Sequence, residues 1–356
     1  MPKLNEKLNF RGRDIFVGLD VHLKSWNVSV YCEDLYLKSF NQPANPKDLR
    51  HYLTSNFPEA NYHCAYESGF CGYWIQRELV NNQINCMIVN AADVPQTDKG
   101  SKNKTDKIDS IRLAQALRAK LLHPIFVPDQ ELEADRHLIR CNEKFKKDLV
   151  RIKNRIKGQL YHMGIKIPEQ FSNTNWSSRF IAWLKDTEIE NISAKKALLY
   201  QINMVEFIRD QKLEVLKEIR KLLKKDRYVH RAKALCSIPG IGPITAAYLL
   251  TEIGDVSRFS NFKQLNCFIG FYPSEFSSGG NIHTAHISSR KHNHLRSLLI
   301  EATWTAVRND PAMTMAYQDA KNRIGGKRAI IKMARKLLSR IRYIWINQQV
   351  YEKGLV

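Results

Sequence analysis

The chain has 356 residues, of which 44% are hydrophobic, and it is long enough for two folded domains and a connecting element. Its net charge of +21 at pH 7 favours a polyanionic partner, with nucleic acid preferred over an anionic membrane. The absence of a long apolar run, of an apolar leader and of any Cys-x-x-Cys pair argues against a membrane protein, a secreted protein and a zinc site.

Residues 14–127 alternate between strand and helix patterns. Three short β-type runs come first and predict an antiparallel meander. The predicted elements are strands at 15–20, 26–31 and 35–40, a helix at 46–56, a strand at 61–67, a helix at 73–82, a strand at 84–90 and a helix from Asp106. This order, β-β-β-α-β-α-β-α, is the order of an RNase H-like domain.

Four acidic residues lie at the ends of these elements. Asp20 and Glu67 each end a strand, whereas Asp106 and Asp109 open a helix and share one of its faces. Carboxylate oxygens are the ligands that Mg²⁺ prefers, and a pair of ions about 4 Å apart suits phosphodiester chemistry. A single acid is more often a solvated charge, and Asp106 would serve as a helix cap. Four acids in these positions favour a metal site.

The remaining chain is predicted to be largely helical and basic. Residues 94–104 form a polar segment that we expect to be a loop next to nucleic acid. Two long helices, at 129–163 and 194–226, carry apolar residues at steps of three and four, which predicts an antiparallel or intermolecular coiled coil. A small apolar cap lies between them, and a basic helix from Lys327 follows a polar loop at 273–289.

A glycine turn interrupts the helical pattern between Ile238 and Pro243. It resembles a helix-hairpin-helix, in which backbone N–H groups contact a phosphate, so Gly240 and Gly242 are candidate nucleic-acid contacts. The alternative is a plain turn between two packed helices.

The polar loop contains the pair Ser277 and Ser278, followed by histidines and by the cations Arg290, Lys291 and Arg296. A serine hydroxyl becomes a nucleophile only when a base or a metal activates it, and turn chemistry alone favours an ordinary loop. The spacing of the histidines matches no familiar ligand pattern, so we expect this stretch to contact DNA.

Together these residues resemble the insertion-sequence transposases of the 110/1111 family, which join an N-terminal DEDD domain to a C-terminal serine domain. This family includes bridge-RNA-guided recombinases and is related to site-specific DNA invertases. The resemblance rests on five motifs in the family's order: Gly18–Val21, Tyr66–Gly69, Asn103–Asp109, Ile238–Gly242, and Gly270-x-x-Pro273 leading to Ser278-Gly279.

The resemblance implies three domains and a divided set of functional residues. The domains are a RuvC-like DEDD domain at 12–128, a coiled coil with a small helical cap at 129–229, and a C-terminal transposase domain at 230–350, with a helix-hairpin-helix and a serine loop. The acids would bind Mg²⁺, or Mn²⁺, and Lys104 would contact nucleic acid. Ser278 would form a covalent phosphoserine with DNA, and Ser277 stays the alternative nucleophile.

The same resemblance implies double-stranded donor and target DNA and a structured bridge RNA as partners. It also implies a homodimer that pairs into a tetramer, a catalytic centre shared between protomers, and a cytoplasmic, nucleoid-associated protein of a bacterium or archaeon. We therefore expect a DNA transposase or recombinase that cuts and rejoins strands. A metal-dependent endonuclease that uses water, such as a junction resolvase, is the alternative, and a non-enzymatic nucleic-acid-binding protein is a third reading.

Overall fold

The computed structural model describes residues 9–95, 105–171, 176–278, 281–287 and 292–354, with the backbone alone at 273–278 and 281–287. The chain forms two compact units, Met1–Val127 and Pro128–Val356. Among the described helices, none has both the length and the apolar composition that a membrane span requires.

The first unit is built on a mixed five-stranded sheet with the order β3-β2-β1-β4-β5. Its strands are β1 (Asp14–Val21), β2 (Ser25–Cys32), β3 (Leu35–Pro43), β4 (Asn61–Glu67) and β5 (Asn85–Val89). Its helices are α1 (Pro46–Asn56), α2 (Trp74–Asn81) and α3 (Asp106–Arg118). Strands β1, β2 and β3 form the antiparallel meander, while β4 runs parallel to β1 and to β5. The predicted order of elements is confirmed, and this mixed sheet fits an RNase H-like domain.

Alternation along β1 separates the two faces of the sheet, because successive side chains of a strand point to opposite faces. Ile15, Val17 and Leu19 lie in the core that contains the buried residues of α1 and α2. Gly18, of the opposite parity, lies directly against α3. Asp20 has the parity of Gly18, so β1 directs it towards the face that α3 covers.

In its described residues, the second unit consists of helices and one hairpin. Its helices are α4 (Gln130–His162), α5 (Ser178–Asp186), α6 (Ile192–Leu222), α7 (Val229–Cys236), α8 (Pro243–Ile253), α9 (Phe262–Ile269), α10 (Asn293–Asn309), α11 (Pro311–Ile324) and α12 (Gly326–Asn347). The strands β6 (Pro273–Ser278) and β7 (Asn281–Ile287) pair antiparallel.

Helices α4 and α6 pack against each other in opposite directions. Gln159, near the end of α4, donates to the carbonyl oxygen of Ala194 at the start of α6. Tyr228, just beyond α6, donates to Asp135 near the start of α4. The predicted long helices therefore form an antiparallel pair within one chain. Leu213 of α6 is 57% exposed, so the apolar contact is interrupted there.

The prediction of a polar loop at 273–289 is wrong, because most of this segment forms the hairpin β6–β7. Aromatic and β-branched residues at Phe276, Ile282 and Thr284 favour extended backbone, and two glycines between the strands are a known hairpin signal. The polar composition hid these features. The division of the second unit at residue 229 stays a prediction.

Candidate active site

The register between β1 and β4 places Asp20 and Glu67 at the same edge of the sheet. Leu19 is the last residue of β1 that pairs with β4, and its partner is Tyr66. Asp20 and Glu67 each follow directly in strands that run parallel. Ordinary strand pairing therefore brings two carboxylates from distant parts of the sequence next to each other.

The start of α3 supplies the other two acids. Thr105 caps this helix: its hydroxyl accepts from the backbone N–H of Ile108 at 3.3 Å, and its carbonyl oxygen accepts from that of Asp109. The cap is thus Thr105 and not Asp106, which leaves the Asp106 carboxylate available for other partners. Asp106 is exposed, and Asp109, one turn later, is buried.

Two close contacts hold α3 against the sheet. A Cβ atom on Gly18 would lie 2.0 Å from the carbonyl oxygen of Ser110, so only glycine permits this approach. The buried hydroxyl of Ser110 is 2.7 Å from that of Ser29 on β2. These contacts fix the distance between Asp20 and the two acids of α3.

One group in the site consists of Asp20, His22 and Asp106. The Nε2 atom of His22 lies 3.2 Å from Oδ2 of Asp20 and 3.4 Å from Oδ2 of Asp106. One ligand atom from each residue lies within 4.8 Å of the others, a spacing that could hold a metal ion. His22 is not among the residues that the sequence predicts for this site. Its position two residues after Asp20, which puts both side chains on the same side of extended backbone, is the signal that could have found it.

A second group consists of Glu67, Asp109 and Arg112. The Nη2 atom of Arg112 lies 2.9 Å from Oε1 of Glu67 and 3.2 Å from Oδ1 of Asp109. Within the described residues, the Nε of Arg112 is buried and has no hydrogen-bond partner. Arg112 was also missed, although it lies one helical turn beyond Asp109, where an oppositely charged side chain is expected to pair.

The electrostatics of Asp20 couple the two groups. Burial raises the pKa of the Asp20 carboxyl, His22 opposes that rise, and the negative charges of Asp106 and Asp109 add to it. The acids therefore repel one another across the site. A cation bound among them would remove this repulsion.

The residues present fit a divalent cation. Asp20 and Asp106 offer carboxylate oxygens, which suit Mg²⁺ and Mn²⁺, and His22 offers an imidazole nitrogen, which suits transition-metal ions better than Mg²⁺. The acidic cluster that the sequence predicts is present, and its chemistry suits divalent-metal binding.

The glycine turn lies between α7 and α8. Gly240 has φ +89°, and a Cβ atom there would lie 2.2 Å from the carbonyl oxygen of Ala302, so packing against α10 alone requires a glycine. Gly242 is exposed, precedes the first turn of α8, and has no neighbour within 4 Å of a built Cβ. Of the two glycines, only Gly242 has open space beside it.

The other predicted residues of the second unit differ in what the structure describes. Arg296 donates to the carbonyl oxygen of Gly270, the residue that follows α9. The backbone places Ser277 and Ser278 at the end of β6, paired with Ile282 and Asn281. Lys104, Arg290 and Lys291 lie outside the described residues.

Two family models match the chain, and the first extends from the first unit into the second. The transposase family of DEDD type named after IS110 matches residues 17–164, which include all four acids. The family described as Transposase IS116/IS110/IS902 matches residues 232–318, which include the glycine turn and the serine hairpin.

Several curated proteins are similar over most of the chain. A putative transposase of Sinorhizobium fredii, y4qE, is 28% identical over 71% of this chain, which spans 60% of that protein's length. A second one, y4rJ, is 28% identical over 82% of this chain and 78% of its own length. The transposase for insertion sequence element IS1533 of Leptospira borgpetersenii is 25% identical over 72% of this chain and 74% of its own length. The chain belongs to the IS110/IS1111/IS116 family of DEDD transposases, a family of enzymes that act on DNA.

Proposed function

We propose that this protein is an RNA-guided transposase that cuts and rejoins DNA through a covalent phosphoserine at Ser278, assisted by a divalent metal at its acidic site. The observation that carries the proposal is the gathering of Asp20, His22 and Asp106 within metal-binding distance. Both family matches support it, because one covers the four acids and the other covers Ser278.

The acidic residues bind and orient. Asp20 and Asp106 would present oxygen atoms to Mg²⁺ or Mn²⁺, with Glu67 and Asp109 beside them, paired with Arg112. When bound, the ion supplies positive charge to the phosphate oxygens of the strand being cut. His22 lies between the two carboxylates and would offer an imidazole nitrogen to the same ion.

The serine would hold the cut DNA strand covalently. In the proposed step, the Ser278 hydroxyl attacks a backbone phosphorus, loses its proton to a base or to solvent, and expels one sugar oxygen as the leaving group. The new phosphoserine ester conserves the phosphodiester linkage, so a second sugar hydroxyl can displace the serine and rejoin the strand. No water is consumed, which separates this reaction from hydrolysis.

Several features of the second unit support nucleic-acid binding. Helix α4 carries many lysines and arginines on its exposed face, which suits backbone contacts with DNA or RNA. The exposed Gly242 and the first turn of α8 are placed to contact a phosphate. Sequence recognition would come from base pairing by a structured bridge RNA. We propose a homodimer that pairs into a tetramer on donor and target DNA, with Lys104, Arg290, Lys291 and Arg296 among the contacts.

Guidance by RNA is tested by reconstitution. The purified protein is mixed with donor and target DNA and with the structured RNA encoded beside the gene, and joined products are measured by sequencing. We expect recombination with this RNA and none with a scrambled RNA of equal length. Equal recombination without any RNA would contradict guidance and leave the strand chemistry standing.

The water-using endonuclease is the second candidate, and one observation favours it: the metal-binding group lies wholly within the first unit and needs no serine. Mass spectrometry of peptides that stay linked to DNA separates the two. We expect a DNA-linked peptide modified at Ser278, and modification at Ser277 would move the assignment by one residue. Cleavage without any linked peptide would favour hydrolysis.

A further inference from the structure

The four acids fall into two groups with different partners. His22, a weak and exposed base, lies beside Asp20 and Asp106. Arg112, a permanent cation, lies between Glu67 and Asp109. Without a bound metal, one pair is therefore already neutralised by a fixed charge and the other is not.

Access to solvent differs most at two residues of the first group. The side chains of Asp106, His22 and Asp20 are 60%, 49% and 24% exposed, and those of Glu67, Arg112 and Asp109 are 31%, 22% and 11% exposed. An ion arriving from solution meets Asp106 and His22 directly, whereas Glu67 and Asp109 already hold a cation.

A second divalent ion at Glu67 and Asp109 would lie next to the Arg112 guanidinium. Like charges at contact distance in a partly buried site repel strongly, since water screens them poorly there. A guanidinium stays protonated at any physiological pH, so only movement of the side chain removes this obstacle.

We propose that Arg112 is an internal counter-ion that reserves Glu67 and Asp109, so that the free protein binds one divalent ion, at Asp20, His22 and Asp106. The second position opens when Arg112 leaves. Its Nε has no hydrogen-bond partner in this position within the described residues, which weakens its hold. A DNA phosphate, which accepts two parallel hydrogen bonds from a guanidinium, is a suitable destination. This inference depends on the proposed function only in taking a divalent metal as the ligand.

The test is a titration of the full-length protein with Mn²⁺, without DNA or RNA, by calorimetry and by electron paramagnetic resonance of free Mn²⁺. We expect one bound ion for the wild type and two for Arg112→Gln. Adding Glu67→Gln to Arg112→Gln should return the number to one, and Asp20→Asn in the wild type should weaken binding about tenfold or more. Arg112→Met, with an unbranched apolar side chain, should behave as Arg112→Gln does.

Arg118→Gln is the matched control, because Arg118 lies on the same helix and pairs with Asp34, away from the four acids. It should keep one ion. Two ions in the wild type, or one ion in both folded Arg112 variants, would overturn the inference and leave the proposed function intact. A wild type that binds no divalent ion would overturn the metal-assisted function as well.

Discussion

Gly18 lies so close to Ser110 that a Cβ atom on residue 18 would be 2.0 Å from the carbonyl oxygen of Ser110. The same atom would lie 2.5 Å from the backbone nitrogen of Ala114. This contact lets α3 lie directly on β1. It therefore also brings Asp106 and Asp109, the two acids of α3, close to Asp20. A structural glycine in the sheet is therefore a condition for the active site.

We expect Gly18→Ala to separate α3 from β1 and to lower the free energy of unfolding by about 1–3 kcal/mol, because the new methyl group meets backbone that cannot yield cheaply. The rate of strand cleavage should fall by more than the loss of folded protein explains. Urea unfolding followed by circular dichroism measures the first effect. Gly158→Ala in α4, where a Cβ meets nothing within 4 Å, is the control and should be neutral or slightly stabilising.

His22 should influence which ion binds. We expect His22→Ala to weaken Mn²⁺ binding about tenfold and Mg²⁺ binding much less, because imidazole is a poor ligand for Mg²⁺. Parallel calorimetric titrations of the two ions give the ratio. Equal loss for both ions would show that His22 orients the carboxylates and does not bind the metal.

In the second unit, Glu252 is a buried acid whose ionisation supports the fold. Burial acts to raise its pKa, but hydrogen bonds from Arg140 and His292 outweigh burial and lower the pKa to about 2. Because the pKa is lowered in the folded state, Glu252 in the unfolded chain takes up a proton at a higher pH than Glu252 in the folded chain. The contribution, on the order of 3 kcal/mol, is therefore complete above pH 4.5 and is lost as the pH falls towards 2.

We expect Arg140→Met to reduce the free energy of unfolding by about 3 kcal/mol at pH 7, since it leaves Glu252 buried without its main partner. The difference from the wild type should shrink as the pH falls below 4.5. Urea unfolding at pH 7 and at low pH measures it. Arg151→Met, which removes an exposed pair with Asp148 on the same helix, should cost about 0.5 kcal/mol or less at both pH values.

We propose that the acids of one protomer act with the serine of its partner, and this arrangement predicts complementation. Asp20→Asn and Ser278→Ala should each abolish recombination when tested alone. When the two variants are mixed and refolded together, recombination should be partly restored, because one protomer would supply the acids and the other the serine. Recombination is measured by sequencing of joined DNA. Mixed dimers that form and stay inactive would show that both halves must come from the same chain.

Much of the first unit was predictable because its signals are local. Period-two alternation located the strands, and the acids at the ends of β1 and β4 follow from that pattern alone. The pairing of Arg112 with Glu67 was not predictable, since it depends on how α3 lies across the sheet. The helix cap is Thr105 and not Asp106, one residue earlier than the sequence suggests. The exact first residue of a helix is difficult to predict from sequence.

The second unit was less predictable where composition and structure disagree. Polar residues and glycines suggested a loop at 273–289, while the backbone forms a hairpin. Gly240 stays a predicted phosphate contact, and its closeness to Ala302, far away in the sequence, adds a packing requirement for glycine. Both cases depend on contacts that no local pattern contains.

The most direct test of the proposed phosphoserine chemistry measures how much labelled DNA stays attached to the protein after boiling in SDS. Wild-type protein is incubated with guide RNA, DNA and Mg²⁺ beside Ser278→Ala, Ser277→Ala and Asp20→Asn. We predict attached DNA for the wild type and Ser277→Ala, none for Ser278→Ala, and a loss of about a hundredfold or more for Asp20→Asn. Cut DNA with no attached protein in the wild type, or an undiminished adduct in both serine variants, would contradict the account.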